Sequence, residues 1–148
     1  MLSFSKTYEL PLARDYVRHW GLVEAVREIL QNAIDSESPF EWGWIQRPVE
    51  ITQENSFERE FEPSDETILI VRSRYAKLSA GTLLLGSTSK AENQDAIGSF
   101  GEGYKIALLV LTRLGYRVVV HNGDRDWLPS FRPSRQFGGV ETLHIHER

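Results

Sequence analysis

The stretch Arg27–Ser36, REILQNAIDS, closes a longer run from about Ala13 to Asp35 whose apolar residues recur at helical spacing. At about 100° per residue, Leu22, Val23, Val26, Ile29, Leu30, Ala33 and Ile34 cover one broad arc, which predicts a helix packed on a core. Asp15 falls in the first turn, where a carboxylate suits the helix dipole, and Gly21 marks a kink or a split into two helices. Glu28, Asn32 and Asp35 stand at i, i+4 and i+7. Their directions lie within roughly 60° of one another, opposite the apolar arc. Two carboxylates and a carboxamide thus leave one side of a packed helix together. One amide oxygen with phosphate oxygens and water can hold Mg²⁺, and a nearby carboxylate can draw a proton from water. Any amphipathic helix also shows polar residues on its outer face, so spacing alone leaves both readings open.

Outward from this helix, Phe4–Leu10 alternates as a short strand that Pro11 ends, and Ser36–Pro39 is a break. Phe40–Pro63 reads as a hairpin or a pair of edge strands, with an acidic Glu54–Glu66 stretch that suits a solvated edge. Thr67–Val71 is a β-branched run expected to be a buried strand. Leu78–Leu85 reads as a short helix opened by Ser79, and Ser87–Ala96 as a mobile polar loop. Tyr104–Leu114 is a strongly apolar helix closed by Gly115. Arg117–His121 is a strand, Asn122-Gly123 a turn, and Trp127 part of the partner strand. Pro129–Gly139 is expected to be a loop and Glu141–His146 an alternating strand, whose His144 and His146 are expected to be exposed. The elements predict one α+β domain over residues 1–148, a two-layer sandwich with helices on one face of a mixed, mostly antiparallel sheet.

Composition narrows the class. The 148 residues carry 17 Lys+Arg against 21 Asp+Glu, a net charge of −4, with 41% hydrophobic residues and no cysteine. Disulfide scaffolds, thiolate metal sites and Cys nucleophiles are excluded. The start lacks the pattern of a signal peptide, and no apolar run reaches the ~18–20 residues of a membrane span. The expectation is a cytoplasmic protein without a membrane partner; mild acidity gives no support to nucleic-acid binding without forbidding a local basic groove.

A second constellation, GSFGEGYK at residues 98–105, runs straight into IALLVLTRL. Glycines let backbone N–H groups approach a phosphate, and a helix N-terminus adds partial positive charge. Lys105 and Lys90 supply cations nearby. The GxxGxG spacing matches neither a Walker A loop nor a dinucleotide fingerprint. A tight turn requiring positive φ would explain the glycines as well.

Together, the E-x3-N-x2-D helix, the strand, the polar loop with Lys and the glycine-rich turn into a second helix resemble the GHKL superfamily. That group comprises gyrase-type topoisomerases, Hsp90 chaperones, histidine kinases and MutL, with the MORC ATPases as relatives. REILQNAIDS resembles its N-box, IGSFGEGYKIALLVL its G2 box in the Hsp90 and MORC style, and LLLGSTSK the start of its ATP lid. The resemblance spans Tyr16–Ile145. It implies the Bergerat sandwich, with ATP and Mg²⁺ bound between helices and lid.

On this resemblance, Glu28 is the general base, Asn32 the Mg²⁺ ligand, and Asp35 shapes the site beside the nucleotide. Gly98, Gly101 and Gly103, with the backbone at Phe100, Glu102 and Tyr104, cradle the phosphates, which Lys90 and Lys105 neutralise. Thr142 matches a threonine that the family places beside adenine. The chain departs from the family at the G1 box, D-x-G-x-G, where alignment puts Ser73 at the aspartate, Tyr75 at the first glycine and Lys77 at the second. A neutral hydroxyl accepts the adenine amino proton weakly or through water. Relatives complete the site with a Lys or Arg from a following domain, so the resemblance implies a partner or further domain as donor and slow ATP hydrolysis without it. The implied function is a nucleotide-gated switch. The alternatives are an interaction module that keeps the fold without the ligand, and a small kinase acting on a partner.

Overall fold

The computed structural model describes residues 6–48, 65–74, 76–84 and 102–148. In chain order these form β1 (Lys6–Ala13), α1 (Leu22–Asp35), β2 (Phe40–Pro48), β3 (Asp65–Ser73), one 3-10 turn (Ala80–Leu83), α2 (Glu102–Arg113), β4 (Val120–Asn122), β5 (Arg125–Pro133) and β6 (Glu141–Glu147). A four-stranded antiparallel sheet has the order β1-β6-β5-β4, and β2 pairs with β3 in a separate antiparallel ribbon. Helix α2 packs against β5, and α1 packs against α2 and β3. The architecture is the expected α+β arrangement of helices on antiparallel strands.

The apolar residues of α2 and the alternate residues of β6 make the main core. Leu10, Leu12, Leu83, Tyr104, Leu108, Leu109, Trp127, Leu143 and Ile145 form one buried cluster. Ala25, Ala107 and Val110 form a second between the helices, and alanines there let the two backbones approach closely.

Two strands run through prolines expected to bound them. β1 runs through Pro11 to Ala13, with an irregular register between Glu9 and Ala13, and β5 runs through Pro129 to Pro133. β1 is a sheet edge, and β4 pairs with β5 only as far as Trp127, so neither proline has to supply an N–H to strands on both sides. The turn also sits one residue later than expected. Asn122 is the last residue of β4, and Gly123 (φ +68°) occupies the first turn position, where a left-handed residue is needed.

The expected helix over Ala13–Asp35 is shorter, because α1 starts at Leu22. The Gly21 N–H donates to the Glu24 carboxylate at 2.9 Å, which closes the helix entry. Residues 14–20 form turns instead, with Val17 at φ +47°. Arg113 explains this: its guanidinium donates to the carbonyls of Arg14, Tyr16, Val17 and Trp20 at 2.7–3.3 Å. Carbonyls that a helix would have used internally are held by a charge from the end of α2. Arg113→Ala removes four charge-assisted bonds, a loss of roughly 2–4 kcal/mol after partial replacement by water. The melting temperature should fall by on the order of 10 °C, measurable by circular dichroism.

β6 is also more buried than expected. Thr142, His144 and His146 are all covered, the histidines 9% and 4% exposed, because β6 lies between β1 and β5. His146 bonds through Nδ1 to the Thr7 hydroxyl (3.1 Å) and through Nε2 to the Ser130 hydroxyl (2.6 Å), and His144 stacks alongside. Burial, with the charges of Arg132 and His144, lowers the His146 pKa below its ordinary 6.5, so the fold favours the neutral ring. The Glu9 carboxylate is lowered mainly by the Ser134 hydroxyl, and Asp126 mainly by His121. Lowered folded-state values give stability that is present above the unfolded pKa and lost as pH falls through it. The melting temperature should therefore drop as pH falls from 7 to 5 through the histidine range, and again below the carboxylate range. His146→Gln should flatten the first of these drops.

Candidate functional site

The first sequence constellation meets the described end of the second, Glu102–Lys105, where α1 passes the N-terminus of α2. Glu28, Asn32 and Asp35 project from one side of α1, and Gly103 is the second residue of α2. A Cβ on Gly103 would clash with the Glu28 carboxylate oxygen Oε2 and lie 3.2 Å from its Cδ. Gly103 has no positive φ. The glycine therefore makes room for the Glu28 carboxylate in its present place, and the tight-turn explanation does not apply to it.

The Glu28 carboxylate is about a quarter exposed, with its other oxygen 3.8 Å from the Arg27 Nε. Asn32, one turn further along, is half-buried, and its carboxamide bonds to no side chain or backbone group among the described residues. Asp35 accepts a hydrogen bond from Gln31 Nε2 at 3.0 Å. A carboxylate at a helix N-terminus interacts favourably with the dipole, so Glu28 also steadies the start of α2. A phosphate arriving at the same place would meet that negative charge, and a divalent cation between them would remove the conflict.

Other predicted site residues are placed differently. Lys105 is fully buried, and its Nζ donates to the Leu84 carbonyl at 2.9 Å and to Glu102 Oε1 at 3.2 Å. Its charge is paired inside the protein. Tyr104 is buried, its hydroxyl 2.7 Å from Thr82 Oγ1, and burial pushes its pKa up to about 12. Thr142 donates to Glu9 Oε1 at 3.0 Å. It alternates with Leu143 and Ile145, which join the α2 core, so it stands on the other face of β6. The structure does not bring Thr142 to Glu28 and Gly103. Ser73 ends β3, half-buried and paired with Phe40. Lys90, Gly98, Phe100 and Gly101 lie outside the described residues, as do Tyr75, the expected loop at Ser87–Ala96 and most of the acidic stretch.

A residue that spacing did not flag as part of a site, Asn122, holds the segment aligned with the G1 box. Asn122 clamps Leu78 from both sides, accepting from its N–H at 2.9 Å and donating to its carbonyl at 2.6 Å. Lys77 extends along Gly123, where an added Cβ would lie 3.3 Å from its Cε. With Thr82 on Tyr104 and Leu84 on Lys105, residues 78–84 are fastened to β4 and to the first turn of α2. The only sequence signal was Asn122, read as a turn residue when its side chain imitates a paired strand.

Among the described residues, no group of three or more His, Cys, Asp or Glu side chains is arranged to hold a metal, so any metal here would take ligands from water and substrate. No described helix is long and apolar enough to cross a membrane. Comparison with family models, curated proteins and solved structures gives no match to this chain.

Proposed function

We propose that this chain is a Mg²⁺-dependent ATP-binding domain of the GHKL type, with the Bergerat arrangement of helices on a sheet and slow, partner-dependent ATP hydrolysis, acting as a nucleotide-gated switch. The observation that carries the reading is the contact of Gly103 with Glu28, which joins the N-box-like helix to the start of the G2-like helix. Asn32 would hold Mg²⁺ through its amide oxygen. The N–H groups that the first turn of a helix leaves without intrahelical partners would, at the start of α2, face the phosphates. Glu28 would take the proton of the attacking water, and Asp35 would order the site beside it. When bound, Mg²⁺ supplies charge neutralisation on the triphosphate.

The bound ligand should be chelated. Titration calorimetry with a non-hydrolysable ATP analogue is expected to give binding heat with Mg²⁺ and none with EDTA, and Asn32→Ala should abolish the Mg²⁺ dependence. Absence of both heat and thermal shift would overturn the proposal. The internal pairing of Lys105 and the serine at position 73 favour weak affinity, and they are the observations behind a second reading, an interaction module without ligand. A kinase that phosphorylates its own terminal histidine finds no support, since His146 is buried and bonded to two hydroxyls.

A further inference from the structure

We propose that Ser130 and His146 form a nucleophile–base pair that cleaves activated acyl esters on the sheet face away from α2, with Thr7 as a positioning residue. The register places the group on three neighbouring strands. Thr7 of β1 and Leu128 of β5 stand opposite His146, Glu9 and Ser130 stand opposite His144, and Arg132 stands opposite Thr142. On β6 the even-numbered residues alternate with Leu143 and Ile145, which join the α2 core, so the whole group shares the other face. The proposed ATP site uses none of these residues.

Bond lengths assign the proton. A neutral imidazole carries hydrogen on one nitrogen and a lone pair on the other. Ser130 Oγ lies 2.6 Å from Nε2, a length that suits a donating hydroxyl, and Thr7 Oγ1 lies 3.1 Å from Nδ1, a length that suits a donating ring N–H. Ser130 thus donates to the nitrogen with the lone pair, and Thr7 fixes the tautomer from the other side. A nucleophile, a base and a third group that orients the base is the pattern that activates a serine. The His146 ring is 4% exposed and stacks on His144, their planes 12° apart. His144 is held in turn, its Nδ1 3.0 Å from the Thr142 carbonyl. The Glu9 carboxylate on the same face accepts from Thr142, and Ser130 is bonded to His146 instead. Ser130 itself is half-buried, and two residues along stands Arg132, exposed and with a charge that reaches His146. A cation there suits the oxyanion that forms when a serine adds to a carbonyl.

The substrate class follows from the charges around the ring. Thr7 is a neutral hydroxyl and Arg132 opposes a positive ring, so the imidazolium is costly and serves poorly as an acid. The acyl donor is therefore one whose leaving group departs as an anion, such as an aryl ester. Ser130 Oγ bonds to the carbonyl carbon as its proton passes to His146 Nε2. The bond from that carbon to the phenolic oxygen breaks, the phenolate leaves with the electron pair, and His146 gives its proton to solvent. Water then attacks the acyl-Ser130 while its proton passes to Nε2, and Ser130 departs and recovers that proton. The sum is ester and water to carboxylic acid and phenol.

Hydrolysis of p-nitrophenyl acetate by the full chain, without nucleotide or Mg²⁺, tests this. Release of p-nitrophenolate should saturate with substrate. Deacylation passes through the same costly imidazolium, so mass spectrometry of the quenched protein should find an acetyl group on Ser130. Ser130→Ala should lose that group, and Ser130→Ala and His146→Gln should each slow hydrolysis by about 10²–10⁴-fold. Thr7→Val, close in shape, should lower kcat by about 10–10²-fold with KM unchanged, a split that a loosened fold would not give. Circular dichroism reports the fold of each variant. His121→Gln, a change at an exposed histidine on β4, should leave the rate as it is. A wild-type chain that releases no more p-nitrophenolate than buffer would overturn the proposal. So would a rate that survives Ser130→Ala or His146→Gln, or hydrolysis without acetyl-Ser130. No nucleotide enters the measurement, so its failure is distinct from a failure of ATP binding.

Discussion

Glu28→Gln should lower ATP turnover by about 10²–10⁴-fold while leaving the affinity for a non-hydrolysable analogue unchanged. Glutamine keeps the size of the side chain and its hydrogen-bonding reach, but it cannot take a proton from water. The same substitution tests the structural role of Glu28. A carboxylate at a helix N-terminus contributes roughly 0.3–1 kcal/mol, so thermal stability should fall only slightly. A large stability loss with unchanged turnover would make Glu28 a cap for α2 and remove it from the chemistry.

The second large effect comes from Gly103→Ala. The new methyl would clash with Glu28 Oε2, and the carboxylate is the mobile end of a flexible side chain, so it would swing aside. Stability should hardly suffer, because alanine is favoured over glycine within a helix by about 1 kcal/mol. Turnover should fall by about as much as in Glu28→Gln, since the base has been moved from its place. The double variant should be no slower than either single one, because both act through the same carboxylate. Multiplying rate losses would mean that Gly103 and Glu28 act independently, and the proposed site would lose its geometry.

The elements that could be read from the sequence were those whose signals are local. Helix α2 is legible from its apolar run and from Gly115, which has φ +87° as a helix-ending glycine requires, although it starts at Glu102, two residues before the expected Tyr104, and ends at Arg113. The polar row of α1 was visible because helical geometry fixes the directions of Glu28, Asn32 and Asp35. The failures came from partners far away in sequence. Residues 14–20 carry a helical pattern, but Arg113, 93 or more positions later, takes their carbonyls. Pro11 and Pro129 were read as strand ends because a proline's cost depends on whether its N–H faces a neighbouring strand, which only topology reveals. The burial of His144 and His146 follows from β6 being central in the sheet.

The candidate site was legible in the same uneven way. Spacing identified Glu28 and Gly103 as separate features, and their contact emerged only from the packing of α1 on α2. Lys105 looked like a phosphate ligand because a cation in the first helical turn suits that role. Its direction on α2 instead aims it at Leu84 and Glu102. Thr142 was matched by its position on a late strand, and the alternation with Leu143 and Ile145 turns it to the opposite face.

The most direct measurement is a crystal structure with a non-hydrolysable ATP analogue and Mg²⁺. It should show the metal about 2.1 Å from Asn32 Oδ1, the triphosphate against the first turn of α2, and the Glu28 carboxylate within reach of the γ-phosphate. Nucleotide bound elsewhere, or a metal that Asn32 does not ligate, would contradict the account.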